Sequence, residues 1–226
     1  MSLLSAAAAA SSVTTTPPTL YFGYGSNLWQ HQMRQRCATS TYQGIARLSN
    51  YQWQINQRGY ANVVEMDGRT LHGQTSSDSG PAQEQQQHDH KKHYSNVTYG
   101  LLYSLLPADE AALDENEGVP FAYTKETLTV DIWASDDPSR RLDVGSEPPT
   151  MMGKVLVYIN REMTRDSVPK AEYVERMNSG IRDALAVGVP EEYVEEVMRR
   201  FIPEKVDGEG WTEVAMQQAM RFEEGR

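Results

Sequence analysis

The chain reads as α+β, with short strands through its first two thirds and helices in its last third. Two observations carry that reading. Up to about residue 159, apolar residues alternate with polar ones, as in Leu128, Val130 and Ile132, which is the period of a half-buried strand. Beyond residue 170 the spacing changes to three and four, as in Val174, Met177, Ile181 and Leu185, the period of a helix buried on one face. A block of strands followed by a block of helices indicates an α+β domain, and 226 residues are enough for one substantial core.

The elements follow in order. Residues 1–18 are Ala, Ser, Thr and Pro in low-complexity order and predict a disordered tail. Leu20-Tyr21-Phe22 predicts the first strand. Tyr24-Gly25-Ser26-Asn27 predicts the turn that leaves it, into a helix over 28–37 with Ser26 or Asn27 as N-cap. Strands are expected over 42–48, 51–56 and 60–66, separated by Ser49-Asn50 and Arg58-Gly59 turn signals. Residues 74–96 are polar and nearly free of aliphatic side chains, and predict a disordered surface insertion. Tyr99, Leu101, Tyr103 and Leu105 share one face of the next strand. Pro107 opens a short helix with Asp109 and Glu110 in its first turn, and Gly118 terminates it. Residues 134–150 are a polar loop and 154–159 a buried strand. Val194, Val197, Met198 and Phe201 form a second helical stripe, with Pro190 in its first turn. The domain proper spans 19–205, and 206–226 is a helical tail.

Composition excludes several function classes. A net charge of −10 argues against nucleic acid or an anionic membrane as partner, since either needs a basic face. No apolar stretch is long enough to span a bilayer, and the Ala-rich start lacks the basic n-region of a signal peptide. Cys37 is the only cysteine; it forms no intramolecular disulfide, fits a cytoplasmic location, and reads as a small buried hydrophobe. The run His88-Asp89-His90-Lys91-Lys92-His93 contains metal-ligand types, but its two lysines and its setting in the insertion argue against a metal site. Asp78-Ser79-Gly80 has no triad partner and is no hydrolase nucleophile.

Two segments carry chemistry. The Tyr24-Gly25-Ser26-Asn27 turn offers backbone N–H groups to an anion, and Gly25 permits close approach; its plain alternative is a strand, a turn and a cap. Leu113-Asp114-Glu115-Asn116-Glu117-Gly118-Val119-Pro120 ends a helix in an acidic cluster. By itself that cluster reads as solvated surface carboxylates, a reading kept for Asp114 and Glu115. Together, in this order and with Tyr123 after the second, the two segments resemble the gamma-glutamylcyclotransferase family. The resemblance spans about residues 20 to 202 and includes Gly59-Tyr60-Ala61-Asn62, Tyr99-Gly100-Leu101-Leu102-Tyr103, and Tyr173 through Gly188-Val189-Pro190 and Tyr193.

That resemblance implies a small mixed β-barrel with flanking helices and a pocket at one end. It implies Glu117 as the catalytic acid/base, and Tyr24, Gly25, Ser26, Asn27, Tyr123 and Tyr173 as substrate-binding residues. Tyr123 otherwise reads as a strand-start packing aromatic and Tyr173 as helix-face packing. The implied partner is a small γ-glutamyl compound, cyclised to 5-oxoproline with no metal or cofactor; a homodimer stays open. A relative acting on γ-glutamyl amines or on a γ-glutamylated metabolite or carrier protein would share these motifs. A non-catalytic binding module on the same fold is the third alternative, and it would have no need of Glu117.

Overall fold

The computed structural model describes residues 17–66, 94–205 and 210–220. The expected tail up to residue 16, the insertion up to residue 93, and with it the His88 to His93 run and Asp78-Ser79-Gly80, lie outside the described residues.

Among the described residues, seven strands form two units. Five of them, β1 (Thr19–Gly23), β2 (Thr41–Ser49), β5 (Val97–Leu105), β6 (Thr124–Ala134) and β7 (Met151–Ile159), close into a barrel in the order β1-β5-β2-β6-β7. All neighbours are antiparallel except β7 and β1, which meet in parallel at Tyr21 and Leu156. The closure makes the sheet mixed and leaves it no free edge. β5 sits between β1 and β2 and is buried along nearly all its length, so its residues read as a continuous apolar run more than as strict alternation. The remaining two, β3 (Tyr51–Ile55) and β4 (Ala61–Glu65), form a separate hairpin.

The hairpin is fastened over one end of the barrel by polar groups. Trp53, fully buried, donates its indole N–H to the Tyr24 carbonyl at 2.9 Å. Asn62 Nδ2 donates to the Asn160 carbonyl at 2.8 Å, and the Asn160 N–H returns to Asn62 Oδ1 at 3.0 Å. A gap is left between the hairpin, the turn after β1 and the chain after α2 (Pro107–Asn116).

The helices depart from expectation at three points. After β1 the chain first makes a 3-10 turn, Ser26–Leu28, and only then α1 (Gln30–Arg36). The long helix α3 (Ala171–Val187) buries Val174, Met177 and Ile181 as its spacing predicts. The second stripe begins as the short α4 (Glu191–Tyr193) and widens into a π turn over Val194–Met198. Pro190 is the residue before that helix, not within its first turn. In the C-terminal stretch, α5 (Trp211–Met220) buries Ala215 and Ala219 and ends on Arg36, which donates to the carbonyls of Gln218 (2.8 Å) and Ala219 (3.3 Å). Tyr94, inside the range read as insertion, is buried beside Tyr99 and Tyr193. No helix among the described residues is long and apolar enough to cross a membrane.

Candidate active site

The turn after β1 forms one wall of the gap. Leu28 donates to the Gly25 carbonyl at 2.9 Å, which closes the 3-10 turn. Helix α1 starts two residues later, and its Gln30 N–H is taken by Asp183 Oδ2 of α3 at 2.8 Å. Neither Ser26 nor Asn27 is therefore an N-cap, because a carboxylate from another helix meets the first orphan donor. Their side chains serve the cleft instead.

Asn27 is held on every side. Its Oδ1 accepts from Gln32 Nε2 at 2.7 Å and from Arg36 Nη1 at 3.3 Å. Its carbonyl accepts from the Tyr103 hydroxyl at 3.1 Å. With the amide oxygen so engaged, Nδ2 faces the other way, and it donates to the Tyr21 hydroxyl (2.8 Å) and to Glu117 Oε1 (2.9 Å).

Glu117 reaches that position because α2 stops there. Its N–H still bonds to the Leu113 carbonyl at 2.8 Å, while Gly118 adopts φ +62° and turns the chain away. A side chain at Gly118 would be strained in that conformation. Burial pushes the Glu117 carboxyl above its ordinary value of 4.5, against the opposing pull of Arg36, the Asn27 hydrogen bond, Arg176 and Arg58. A carboxylate that is desolvated yet hydrogen-bonded is poised to exchange a proton nearer neutrality than an exposed one. Of its acidic neighbours, Glu115 is exposed as expected. Asp114 is not a free surface residue: it is half-buried, and accepts from the Tyr158 hydroxyl at 2.6 Å and from Lys125 at 3.0 Å.

All seven residues expected at the site, Tyr24, Gly25, Ser26, Asn27, Glu117, Tyr123 and Tyr173, line this one cleft. Tyr24 donates to the Tyr158 carbonyl at 2.5 Å and Tyr123 to the Ala61 carbonyl at 2.8 Å. The Tyr173 oxygen accepts from the N–H groups of Ser26 and Ala61, each at 3.2 Å. Burial raises this phenol to about 12, against the opposing pull of the Arg176 charge and then of the two backbone donors. A Cβ built on Gly25 would come within 2.8 Å of the Tyr173 oxygen, so the close packing of these two residues requires glycine. The Ser26 N–H expected to face an anion thus already has a partner in the tyrosine.

Three arginines were not foreseen. Arg176 on α3 is fully buried; it grips Glu172 with two N–H groups (2.8 and 3.1 Å) and reaches Ser26 Oγ at 3.1 Å. Arg36 is buried beside it, and desolvation, followed by repulsion from Arg176, lowers its pKa to about 10. Arg58, in the turn between β3 and β4, lies over the rings of Tyr60 and Tyr123. Cys37 is buried, and its thiol is pushed up to about 12, first by burial and then by Asp109. A buried thiol kept protonated in this way is a poor nucleophile. Among the described residues, no cluster of three or more His, Cys, Asp or Glu side chains has a metal-binding arrangement.

No family model matches the chain, and no curated protein matches it in sequence. Solved structures do match. An uncharacterized protein from Homo sapiens superposes with a TM-score of 0.59 at 18% identity, over 89% of this chain and 99% of that one. A structure described as gamma-glutamyl cyclotransferase superposes with a TM-score of 0.58 at 17% identity, over 88% of this chain and 99% of that one. The chain has the gamma-glutamyl cyclotransferase fold. YkqA from Bacillus subtilis shares it at a TM-score of 0.52 and 17% identity, over 84% of this chain and 57% of that one. In the gamma-glutamyl cyclotransferase fold of this chain, the Glu117 cleft opens where the hairpin meets the barrel end.

Proposed function

We propose that this protein is a gamma-glutamylcyclotransferase, cyclising the γ-glutamyl group of γ-glutamyl amino acids or dipeptides to 5-oxoproline with release of the attached amine. The observation that carries the reading is Glu117, a desolvated carboxylate fixed by Asn27 Nδ2 at 2.9 Å inside a cleft of arginines and tyrosines. A binding module has no use for a base held in this way.

The reaction is internal. The α-ammonium of the substrate gives a proton to Glu117, and the freed amine attacks the γ-carbonyl carbon of the same residue. A C–N bond forms and closes a five-membered ring, with the negative charge on the former carbonyl oxygen. The ring nitrogen then sheds its second proton, the charge on oxygen collapses back, the bond to the original amine breaks, and the departing nitrogen takes up both released protons, the first by way of Glu117, and leaves as an ammonium. Atoms and charge balance with no metal and no cofactor.

The protein supplies three effects. Holding the tethered amine against its carbonyl lowers the barrier by up to ~7–11 kcal/mol in ideal intramolecular cases. Proton exchange through Glu117 adds roughly 10²–10⁴-fold. The Tyr173 hydroxyl, whose oxygen already accepts two backbone N–H groups, retains its own proton for donation to a developing oxyanion.

The test is to incubate purified protein with γ-glutamyl-alanine and follow 5-oxoproline by mass. Turnover is expected, and Glu117→Gln is expected to lose at least ~10²-fold while staying folded. No 5-oxoproline from any γ-glutamyl compound, or near-normal activity in the folded variant, overturns the proposal.

A further inference from the structure

The C-terminal helix reaches the site. Helix α5 lies against α1 and α3, and its Ala215 and Ala219, small and buried, let its backbone come close. The last carbonyls of a helix have no partner within it and form the negative end of its dipole. Here they meet Arg36, the last residue of α1. Nη2 donates to the Gln218 carbonyl at 2.8 Å and Nε to the Ala219 carbonyl at 3.3 Å, while Nη1 donates to Asn27 Oδ1 at 3.3 Å. One guanidinium thus joins α5 to the residue that holds Glu117.

Of the opposing pulls on the Glu117 carboxyl, that of Arg36 is the strongest. Yet among the described residues the Arg36 N–H groups go to Asn27 and α5, and not to that carboxylate. A planar guanidinium fork fits a carboxylate with two parallel bonds. Such a pair would occupy the oxygens that must take a proton from the substrate. Orienting Asn27 does not by itself call for Arg36, because Gln32 Nε2 grips the same Asn27 oxygen at 2.7 Å. What the α5 anchor supplies is the direction of the guanidinium.

We propose that α5 is part of the catalytic apparatus: its last carbonyls hold the Arg36 guanidinium off Glu117, which leaves the carboxylate free to take a proton from the substrate. Arg36 is then a positioning residue, and α5 the element that positions it. The proposal rests on the cyclotransferase reading. When α5 undocks, the fork turns to Glu117 and pairs with it, and the base is disarmed although every cleft residue is still present. The other charges about Glu117 are Arg176 of α3 and Arg58 of the β3–β4 turn. The phenols of Tyr21, Tyr24, Tyr123, Tyr158 and Tyr173 and the Cys37 thiol, which also feel Glu117, are all raised by burial. The substrate's own ammonium titrates alike for every variant, so a displaced acid limb reports Glu117.

The experiment uses the full chain with γ-glutamyl-alanine and reads kcat/KM against pH. Ala215→Pro places a proline inside α5, where it removes a hydrogen bond and breaks the helix; hydrogen exchange over residues 211–220 reports the undocking. The acid limb is expected to move down toward the ordinary carboxylate value, because an adjacent opposite charge favours the ionised form. The plateau is expected to fall by at least ~10-fold, part of the ~10²-fold or more of removing a general base. Arg36→Met should move the limb the other way, up, and in the double variant the downward shift should vanish. If that shift persists without Arg36, entry of water causes it and the proposal is overturned. An unmoved limb with α5 unprotected overturns it too. Arg36→Lys keeps the charge but lacks the fork that spans the helix end and Asn27, and should lower the limb with α5 docked. That variant decides the matter should Ala215→Pro fail to fold or keep α5 in place, and an unmoved or raised limb there overturns the proposal. These outcomes leave the cyclotransferase reading standing. Absence of 5-oxoproline with the wild type fails that reading first, and the proposal with it.

Discussion

Two hollows in this molecule have opposite electrostatics. The cleft at the hairpin is lined by Arg36, Arg58 and Arg176 around Glu117. The groove between the 141–146 loop and the start of α4 is lined by Asp143, Glu191, Glu192 and Glu196, with Arg141. The groove carboxylates are all exposed, and such charges stay hydrated and interact weakly. In the cleft, polar groups far apart in sequence are locked together: Asn27 to Glu117, Ser26 to Tyr173, and Arg176 to Ser26. The comparison teaches that the chain's net acidity describes its outer surface, whereas the chemistry sits where desolvated charges of both signs are pinned by hydrogen bonds.

The largest expected effect breaks that pinning. Arg176→Met removes a guanidinium that is 2% exposed in its side chain and leaves Glu172 buried without its partner. Breaking one side of a buried pair costs ~3–5 kcal/mol. The urea midpoint should fall accordingly, and Glu172→Gln in the same chain should recover part of the loss. A midpoint within ~0.5 kcal/mol of wild type would show the cleft cations to be no more structural than the groove charges.

Glu117→Gln tests the same contrast with the sign reversed. Burial keeps the Glu117 proton on to a higher pH in the folded chain than in the unfolded one. Its contribution to stability is therefore complete below the unfolded value near 4.5 and is lost as pH rises through the folded value. The glutamine variant, at least ~10²-fold less active, should match wild type in stability at pH 4 and exceed it at pH 8. A variant less stable than wild type at pH 8 would contradict a desolvated carboxylate. Activity should follow the same group: kcat/KM falls as pH drops through the raised value, an acid limb above the ordinary carboxylate range.

How much of this was legible in the sequence depends on the kind of signal. Strand positions such as Leu128, Val130 and Ile132 and the α3 stripe were legible because period reports burial directly. The cleft's seven expected residues came from a resemblance, and the structure brings all of them to one place. The cap at Ser26 or Asn27 failed because the residue that caps α1, Asp183, lies 153 positions away. The arginines were missed because an arginine in sequence reads as a surface charge. Arg176 left one usable sign: it lies three residues after Tyr173 and four after Glu172, on the face of α3 that faces the cleft, where an i,i+4 pair becomes a buried one. Arg58 left none, since an Arg-Gly pair between strands reads simply as a turn.

Asn27→Asp sharpens the comparison further. It keeps the shape of the side chain but sets a second carboxylate against Glu117 Oε1, where the Asn27 amide now sits at 2.9 Å. Two adjacent carboxylates do not both ionise readily, and one value rises strongly. The acid limb of kcat/KM should move up, with about a ten-fold loss for each unit it passes above the assay pH. An unmoved limb in a folded variant would mean that Glu117 is not the titrating base.

The smallest effect is expected in the groove, and it matters because it is small. Glu192 and Glu196 are exposed residues of the α4 and π-turn segment, on the acidic hollow. If acidity alone marked a site, neutralising two of the groove's carboxylates would change activity. The physical reading says otherwise, because solvated charges on one surface segment are screened and make no pinned contact with the cleft. The double variant Glu192→Gln, Glu196→Gln should therefore unfold within ~0.5 kcal/mol of wild type. Its kcat/KM for γ-glutamyl-alanine should stay within about two-fold, a change of under ~0.5 kcal/mol in the barrier. A fall of ten-fold or more, with the fold intact, would show that the groove acts on the reaction and that the division between the two hollows is wrong.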